Sequence, residues 1–144
     1  MPFVLDCCRV GLLTGIITAL PAQEKKETIG SVERINPEMD IYVPKGSEVE
    51  ILARGFGWSE GPVWVDQLNA ILFSDVRNNK AYRWDDKNGL SVFLNPSGFT
   101  GIVPANKKAG SNGLTLNSKN ELVLAMHGDR RIAKLKSWDE KTFE

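Results

Sequence analysis

This chain repeats itself, and the repeat decides what it is able to become. Glu60-Gly61-Pro62-Val63-Trp64 is answered by Asn112-Gly113-Leu114-Thr115-Leu116, Ile71-Leu72-Phe73-Ser74 by Leu122-Val123-Leu124-Ala125, and the run Asn78 to Trp84 by Asp129 to Leu135. Glu60 and Asn112 lie 52 positions apart, and Ile71 and Leu122 lie 51 apart. A unit of several short strands with a period near 50 buries the faces of its sheet only against neighbouring copies. That is the logic of the blades of a β-propeller.

The first repeat reads as strands separated by turn formers. Val49-Glu50-Ile51-Leu52-Ala53 is near-alternating and predicts a strand over 48–53, broken by Gly55 and Gly57. Strands follow over 62–65, 70–74, 80–84 and 90–94. The intervening clusters Asp66-Gln67-Leu68-Asn69, Arg77-Asn78-Asn79-Lys80 and Asp85-Asp86-Lys87-Asn88-Gly89 are turns, and Asn88-Gly89 is a strong hairpin signal. Residues 95–111 form a loop before the pattern resumes. Met39 to Val43 alternates weakly and reads as a short edge strand. No stretch of this region carries an amphipathic helical period, so the fold class is all-β. Trp58, Trp64, Trp84 and Trp138 are expected between blades, because large aromatics dominate such cores.

Two repeats fill 60–144, whereas a closed ring needs typically at least four. The expectation is therefore the first two blades of a larger β-propeller, the N-terminal part of a longer protein. Lys plus Arg balances Asp plus Glu, 18 against 18, which leaves no basic surplus to attract nucleic acid; a small ligand is the expected partner. Oligomeric state is not legible.

The N-terminus reads differently. Val10 to Leu20 is an uncharged apolar run that ends at Pro21-Ala22-Gln23. It is too short for a bilayer, which needs roughly 20 residues, and it fits the apolar region of an export signal over 1–22, cut near Ala22. The alternative is a buried or disordered N-terminal segment, or a misplaced start codon. Cys7 and Cys8 lie inside this stretch and have no metal-binding spacing. Residues 23–47 are polar, broken by Pro37 and Pro44, and read as an extended arm or linker; the propeller part occupies 48–144.

Glu60-Gly61-Pro62-Val63-Trp64, Leu72-Phe73-Ser74-Asp75-Val76, Ser111 to Leu116 and His127-Gly128-Asp129-Arg130-Arg131-Ile132 stand in an order and spacing that resembles the senescence-marker-protein, gluconolactonase and luciferin-regenerating-enzyme family. The resemblance covers about 48–136 and implies a six-bladed β-propeller. It also implies a metal-dependent hydrolase of sugar lactones such as gluconolactone, and the signal over 1–22 predicts its export to the periplasm or cell exterior. Glu60 takes the place of the family's metal-ligating glutamate, and Asn112 that of an asparagine near the metal that helps hold substrate. The remaining ligands and the catalytic base are expected in later blades, so the chain alone is expected to be inactive.

A hard cation with oxygen ligands polarises a lactone carbonyl toward attack by water; Ca²⁺ is the first choice, with Zn²⁺ or Mg²⁺ as alternatives. His127, the one histidine, is a candidate proton-transfer group at the channel mouth or a hydrogen-bonded turn residue. Asp75 reads as a turn acid that accepts backbone N–H bonds, and Arg130-Arg131 as a solvated turn or a contact to an anionic substrate. The competing functional reading is a non-catalytic propeller segment or a ligand-binding propeller.

Overall fold

Leu72, Ser74 and Ala70 alternate with Ile71 and Phe73 along one short run, and the alternation sends the first set inward. The computed structural model describes residues 26–101 and 109–144; the proposed export signal and both cysteines lie outside the described residues. Two antiparallel sheets make up the fold. The first contains β1 (Ser59–Val65), β2 (Ala70–Asp75), β3 (Lys80–Asp85) and β4 (Gly89–Leu94), in that order. The second contains β5 (Ser111–Leu116), β6 (Leu122–Met126) and β7 (Arg131–Lys134).

The turns are built where the sequence places residues that tolerate positive φ. Asn69, Asn79 and Asn120 take φ of 44°, 52° and 58°, and Gly89 takes 66° at the β3–β4 hairpin. Asn117 organises the β5–β6 turn by accepting from the N–H groups of Lys119 and Glu121 at 2.9 and 3.0 Å.

Among the described residues one core lies between the sheets: Val65, Leu72, Ala81, Phe93 and Leu94 from the first, Leu114, Leu122, Leu124, Met126 and Ala133 from the second, and Leu135 just past β7. Burying each of these larger side chains stabilises the fold by about 1.5–3 kcal/mol before entropy is counted. The far face of the first sheet carries a separate aromatic cluster. Phe56 meets Phe73 edge-on at 4.9 Å and Tyr82 at 5.1 Å, which fastens the segment before β1 to that face.

Three sequence expectations change. Met39–Val43 is no strand: Pro37–Ile41 forms a 3₁₀ turn, because Pro37 sits at its first positions and Asn36 caps it through a 2.9 Å bond from the Glu38 N–H. The strand over 48–53 shrinks to a single bridge, Thr28 with Glu50, since the segment meets little backbone to pair with. After β7 the chain turns back, so that Leu135 bridges Phe143 and Lys136 N–H bonds to Thr142.

Of the tryptophans, only Trp138 packs against the inter-sheet core, with its ring 6.2 Å from Phe93. Trp58 and Trp64 are exposed, Trp64 donating to Asp66 at 2.7 Å, and Trp84 lines the outer groove beside Phe56.

Candidate functional site

Glu60 and Asn112 occupy the same point of the two sheets. In the first, β1 runs in register with β2 at Ser59–Asp75 and Glu60–Ser74, then slips before Val63–Leu72. In the second, β5 pairs Ser111 with Met126, then slips before Leu114–Leu124. β1 therefore leaves register immediately after Glu60, and β5 at Asn112 itself. A bulge frees a side chain from the ladder's regular direction, and such irregularities concentrate beside functional sites.

The two bulges touch. Gly61, at φ 56°, lies so close to β5 that a Cβ there would meet Leu114 N at 2.6 Å and Asn112 O at 2.7 Å. No residue with a side chain fits between the strands without moving one of them. Below this contact Ser74, the cross-strand partner of Glu60, hydrogen-bonds through its hydroxyl to that of Ser111 at 2.7 Å, with both residues fully buried. Ser111 in turn donates its N–H to Ser97 Oγ at 3.1 Å. The strands that carry Glu60 and Asn112 are thus pinned together by polar groups as well as by the core.

Asp75 holds the approach to Glu60. Fully buried, it accepts from the Gly57 N–H at 3.0 Å, the Trp58 N–H at 3.1 Å and the Asn78 side-chain amide at 2.6 Å. Burial pushes its carboxyl up, but these donors outweigh burial and hold it below the ordinary carboxylate value. The reading of Asp75 as a turn acid is right for Asn78 and too narrow for Gly57 and Trp58, 18 and 17 residues away. Sequence spacing gives no sign of that reach.

Glu60 is partly buried at its bulge. Asn112 has a buried Oδ1 with no hydrogen-bond partner, and an acceptor left so is an opening for a ligand. His127 is exposed and shares with Asn112 an open cavity of about 600 Å³, lined also by Arg130, Arg131 and Ile132. The structure thus sets Asn112 beside the bulge of Glu60 on one side and in the cavity of His127 on the other. Among the described residues no three His, Cys, Asp or Glu side chains converge as a metal cluster. Nor does any described helix have the length and apolarity to cross a membrane.

Comparison with known proteins bears on residues 58–143, which match the SMP-30/Gluconolactonase/LRE-like region. The gluconolactonase of Zymomonas mobilis is 34% identical over 125 residues, which are 85% of this chain and 35% of the relative. An X-ray structure of a protein provisionally designated a gluconolactonase superposes with a TM-score of 0.62 at 34% identity, covering 76% of this chain and 34% of that one. A gluconolactonase from Xanthomonas campestris superposes with a TM-score of 0.64 at 21% identity, over 87% of this chain and 38% of its own, a likeness of fold. The chain spans about a third of the length of these relatives.

Proposed function

Because this chain belongs to the SMP-30/gluconolactonase/LRE-like family, we propose that it forms part of a sugar-lactone hydrolase in which Glu60 and Asn112 meet at the reacting end of a six-bladed β-propeller. The two sheets are its first blades. The observation that carries the reading is the pair of matched, touching bulges, one bearing a carboxylate and the other an amide oxygen with no partner.

The donor set is consistent with a hard cation. A carboxylate and an amide oxygen suit Ca²⁺, with Mg²⁺ and Zn²⁺ as alternatives, and the unpartnered Asn112 Oδ1 is the kind of acceptor such an ion or a sugar hydroxyl satisfies. When bound, the cation supplies Lewis-acid polarisation of a lactone carbonyl. Glu60 contributes the negative charge that draws it in. Asn112 orients the sugar by accepting from a hydroxyl, and His127, exposed in the same cavity, is placed to carry a proton away from the attacking water. Two oxygens leave a cation's shell incomplete, so the other ligands come from blades contributed by the rest of a full-length family member, and the chain by itself is inactive. Export through residues 1–22 belongs to the same proposal.

A chimera tests it. The 144 residues are joined to the remaining two-thirds of the Zymomonas mobilis relative, and gluconolactone opening is followed by proton release with Ca²⁺, Mg²⁺, Zn²⁺ or chelator. The expected result is cation-dependent hydrolysis, reduced roughly 100-fold or more in kcat/KM by Glu60→Gln. A folded chimera whose rate is indifferent to Glu60→Gln removes the assignment. Cation-dependent activity in the 144-residue chain alone overturns the need for further blades.

A further inference from the structure

The turn that closes β6 and β7 departs from its counterpart in a way the repeat makes visible. The register pairs Asp75 with Lys80 in the first sheet and Met126 with Arg131 in the second, so the turn 76–79 corresponds to 127–130. Each ends on a residue with positive φ: Asn79 at 52° and Arg130 at 55°. Asn79 suits that conformation and turns its side chain inward. Its Oδ1 accepts from the N–H groups of Ser97, Gly98 and Phe99 at 3.2, 3.0 and 3.1 Å, while its amide donates to Phe99 O at 2.8 Å.

Arginine gains nothing of this kind, and a long side chain in the left-handed region is strained. Such strain is the sort of observation from which a function is inferred. At Arg130 the strained backbone presents a guanidinium to the open cavity of about 600 Å³ that also contains Arg131, His127 and Asn112.

The turn is anchored from behind. The Asp129 N–H bonds to Gly98 O at 2.8 Å, and its carboxylate accepts from the Thr100 N–H at 3.0 Å and the Thr100 hydroxyl at 3.1 Å. Asp129 also lies 3.6 Å from Arg131, so one cation of the pair is partly balanced. Arg130 has no carboxylate partner among the described residues, and no Asp or Glu is among the described residues that line the cavity. The result is a fixed turn carrying a surplus cation toward a concave surface whose other polar groups are an amide and an imidazole.

We propose that this cavity is an anion subsite, in which Arg130 and Arg131 hold a carboxylate or phosphate group while Asn112 receives a hydroxyl of the same ligand. The ligand class is a polyhydroxylated sugar acid or sugar phosphate. The inference deepens the lactonase reading and rests on it for the sugar part. Addition of water to a lactone breaks the ring C–O bond and leaves a hydroxy acid, which releases its proton to water at neutral pH. A neutral substrate thus becomes an anionic product, and planar guanidinium groups recognise it through paired N–H donors. Product then binds more tightly than substrate at this subsite.

Calorimetric titration of the full 144-residue chain at low ionic strength separates the possibilities, with gluconate, inorganic phosphate and the neutral polyol glucitol as probes. Gluconate is expected to bind roughly tenfold or more tightly than glucitol, with the difference lost in Arg130→Gly. Glycine accepts the positive φ, so this variant relieves the turn and keeps the fold while removing the cation. The double variant Arg130→Gln, Arg131→Gln should abolish phosphate binding as well. Arginine-dependent binding of phosphate with none of gluconate keeps the subsite and sinks the sugar-acid ligand. Binding of gluconate and phosphate that is unchanged in Arg130→Gly overturns the subsite, and leaves the lactone reading to the chimera.

Discussion

Asp75 is a charged group with no solvent exposure, and its value to the fold is set by what its two oxygens replace. In water a carboxylate is solvated on all sides; here the Gly57 and Trp58 N–H groups and the Asn78 amide take the place of that water. Removing the acid strands two backbone donors in the segment that leads into Glu60. Asp75→Ala is therefore expected to lower the unfolding free energy by about 3 kcal/mol in urea titration, a large share of a small domain's stability. The pH dependence follows from the same contacts. A carboxyl held below its ordinary value stabilises the fold in its charged form, fully above about pH 4 and progressively less as pH falls through the folded-state value. The melting temperature of the parent should fall between pH 5 and pH 2, and the fall should be shallower in Asp75→Asn. Part of the decline remains, because the Asn88 N–H holds Asp85 low and the Asn117 amide holds Glu121 low. An Asp75→Asn variant that tracks the parent over the whole range would contradict this account. The Ser74–Ser111 hydroxyl pair makes a smaller contribution: Ser111→Ala leaves one buried hydroxyl without its partner and should cost about 1–2 kcal/mol by the same measurement.

At the level of strands and turns, the matched bulges of β1 and β5 decide how the two sheets meet. Gly61 is the contact point, and an added methyl would have to displace the Asn112–Leu114 backbone as well as tolerate φ 56°. Gly61→Ala is expected to cost about 2–4 kcal/mol in urea titration, and to shift the Asn112 amide resonances in nuclear magnetic resonance spectra. Gly113→Ala is the control: a Cβ there meets nothing within 4 Å and its φ is unexceptional, so the loss should be well under half as large. These elements show what the amino-acid sequence reveals and where it stops. Alternation and turn chemistry place β2, β3 and β4, and the repeat places β5, β6 and β7, while β1 begins at Ser59, ahead of the strand read over 62–65. The repeat also equates Glu60 with Asn112, and the ladders match the residue before each, Ser59 opposite Asp75 and Ser111 opposite Met126. What fails has a common cause. The segment 48–53 looks like a strand, but strandedness needs a partner, and here the pairing is the single bridge of Thr28 with Glu50, made by the backbone of Glu27 and Ile29. Met39 to Val43 alternates, but the local chemistry of Asn36 and Pro37 wins over a weak period. The reach of Asp75 to Gly57, the hydroxyl contact beneath Glu60 and the positive φ of Arg130 are properties of packed backbone, which no spacing rule encodes.

Across the molecule, the question is whether the two sheets behave as one cooperative unit or as two. Leu72 on one sheet and Leu124 on the other are wholly buried, and both belong to the same cluster. The hydrophobic core is a single cluster drawn from both sheets. At its edge Trp138, beyond β7, rests on Phe93 of β4, with Lys141 4.7 Å above the same ring, so the end of the second sheet is fastened to the last strand of the first. Two independent units would need two cores, and the described residues form one between the sheets. Unfolding is therefore expected to be a single transition. Far-ultraviolet circular dichroism, which sees the strands of both sheets, and tryptophan fluorescence, which sees Trp58, Trp64, Trp84 and Trp138 together, should give the same midpoint in urea. Leu72→Ala and Leu124→Ala each remove buried methyl groups from one side of the shared core, and each should lower that common midpoint by an amount equivalent to about 2–5 kcal/mol. If the sheets are separable, Leu124→Ala will split the curves: the dichroism will fall in two steps, and its midpoint will part from that of the tryptophan fluorescence, three of whose four emitters lie in or just before the first sheet. Coincident curves in both variants mean that the bulged strands carrying Glu60 and Asn112 are held in contact by the stability of the whole, so that loss of packing anywhere in the shared core is felt as loss of geometry between those two residues.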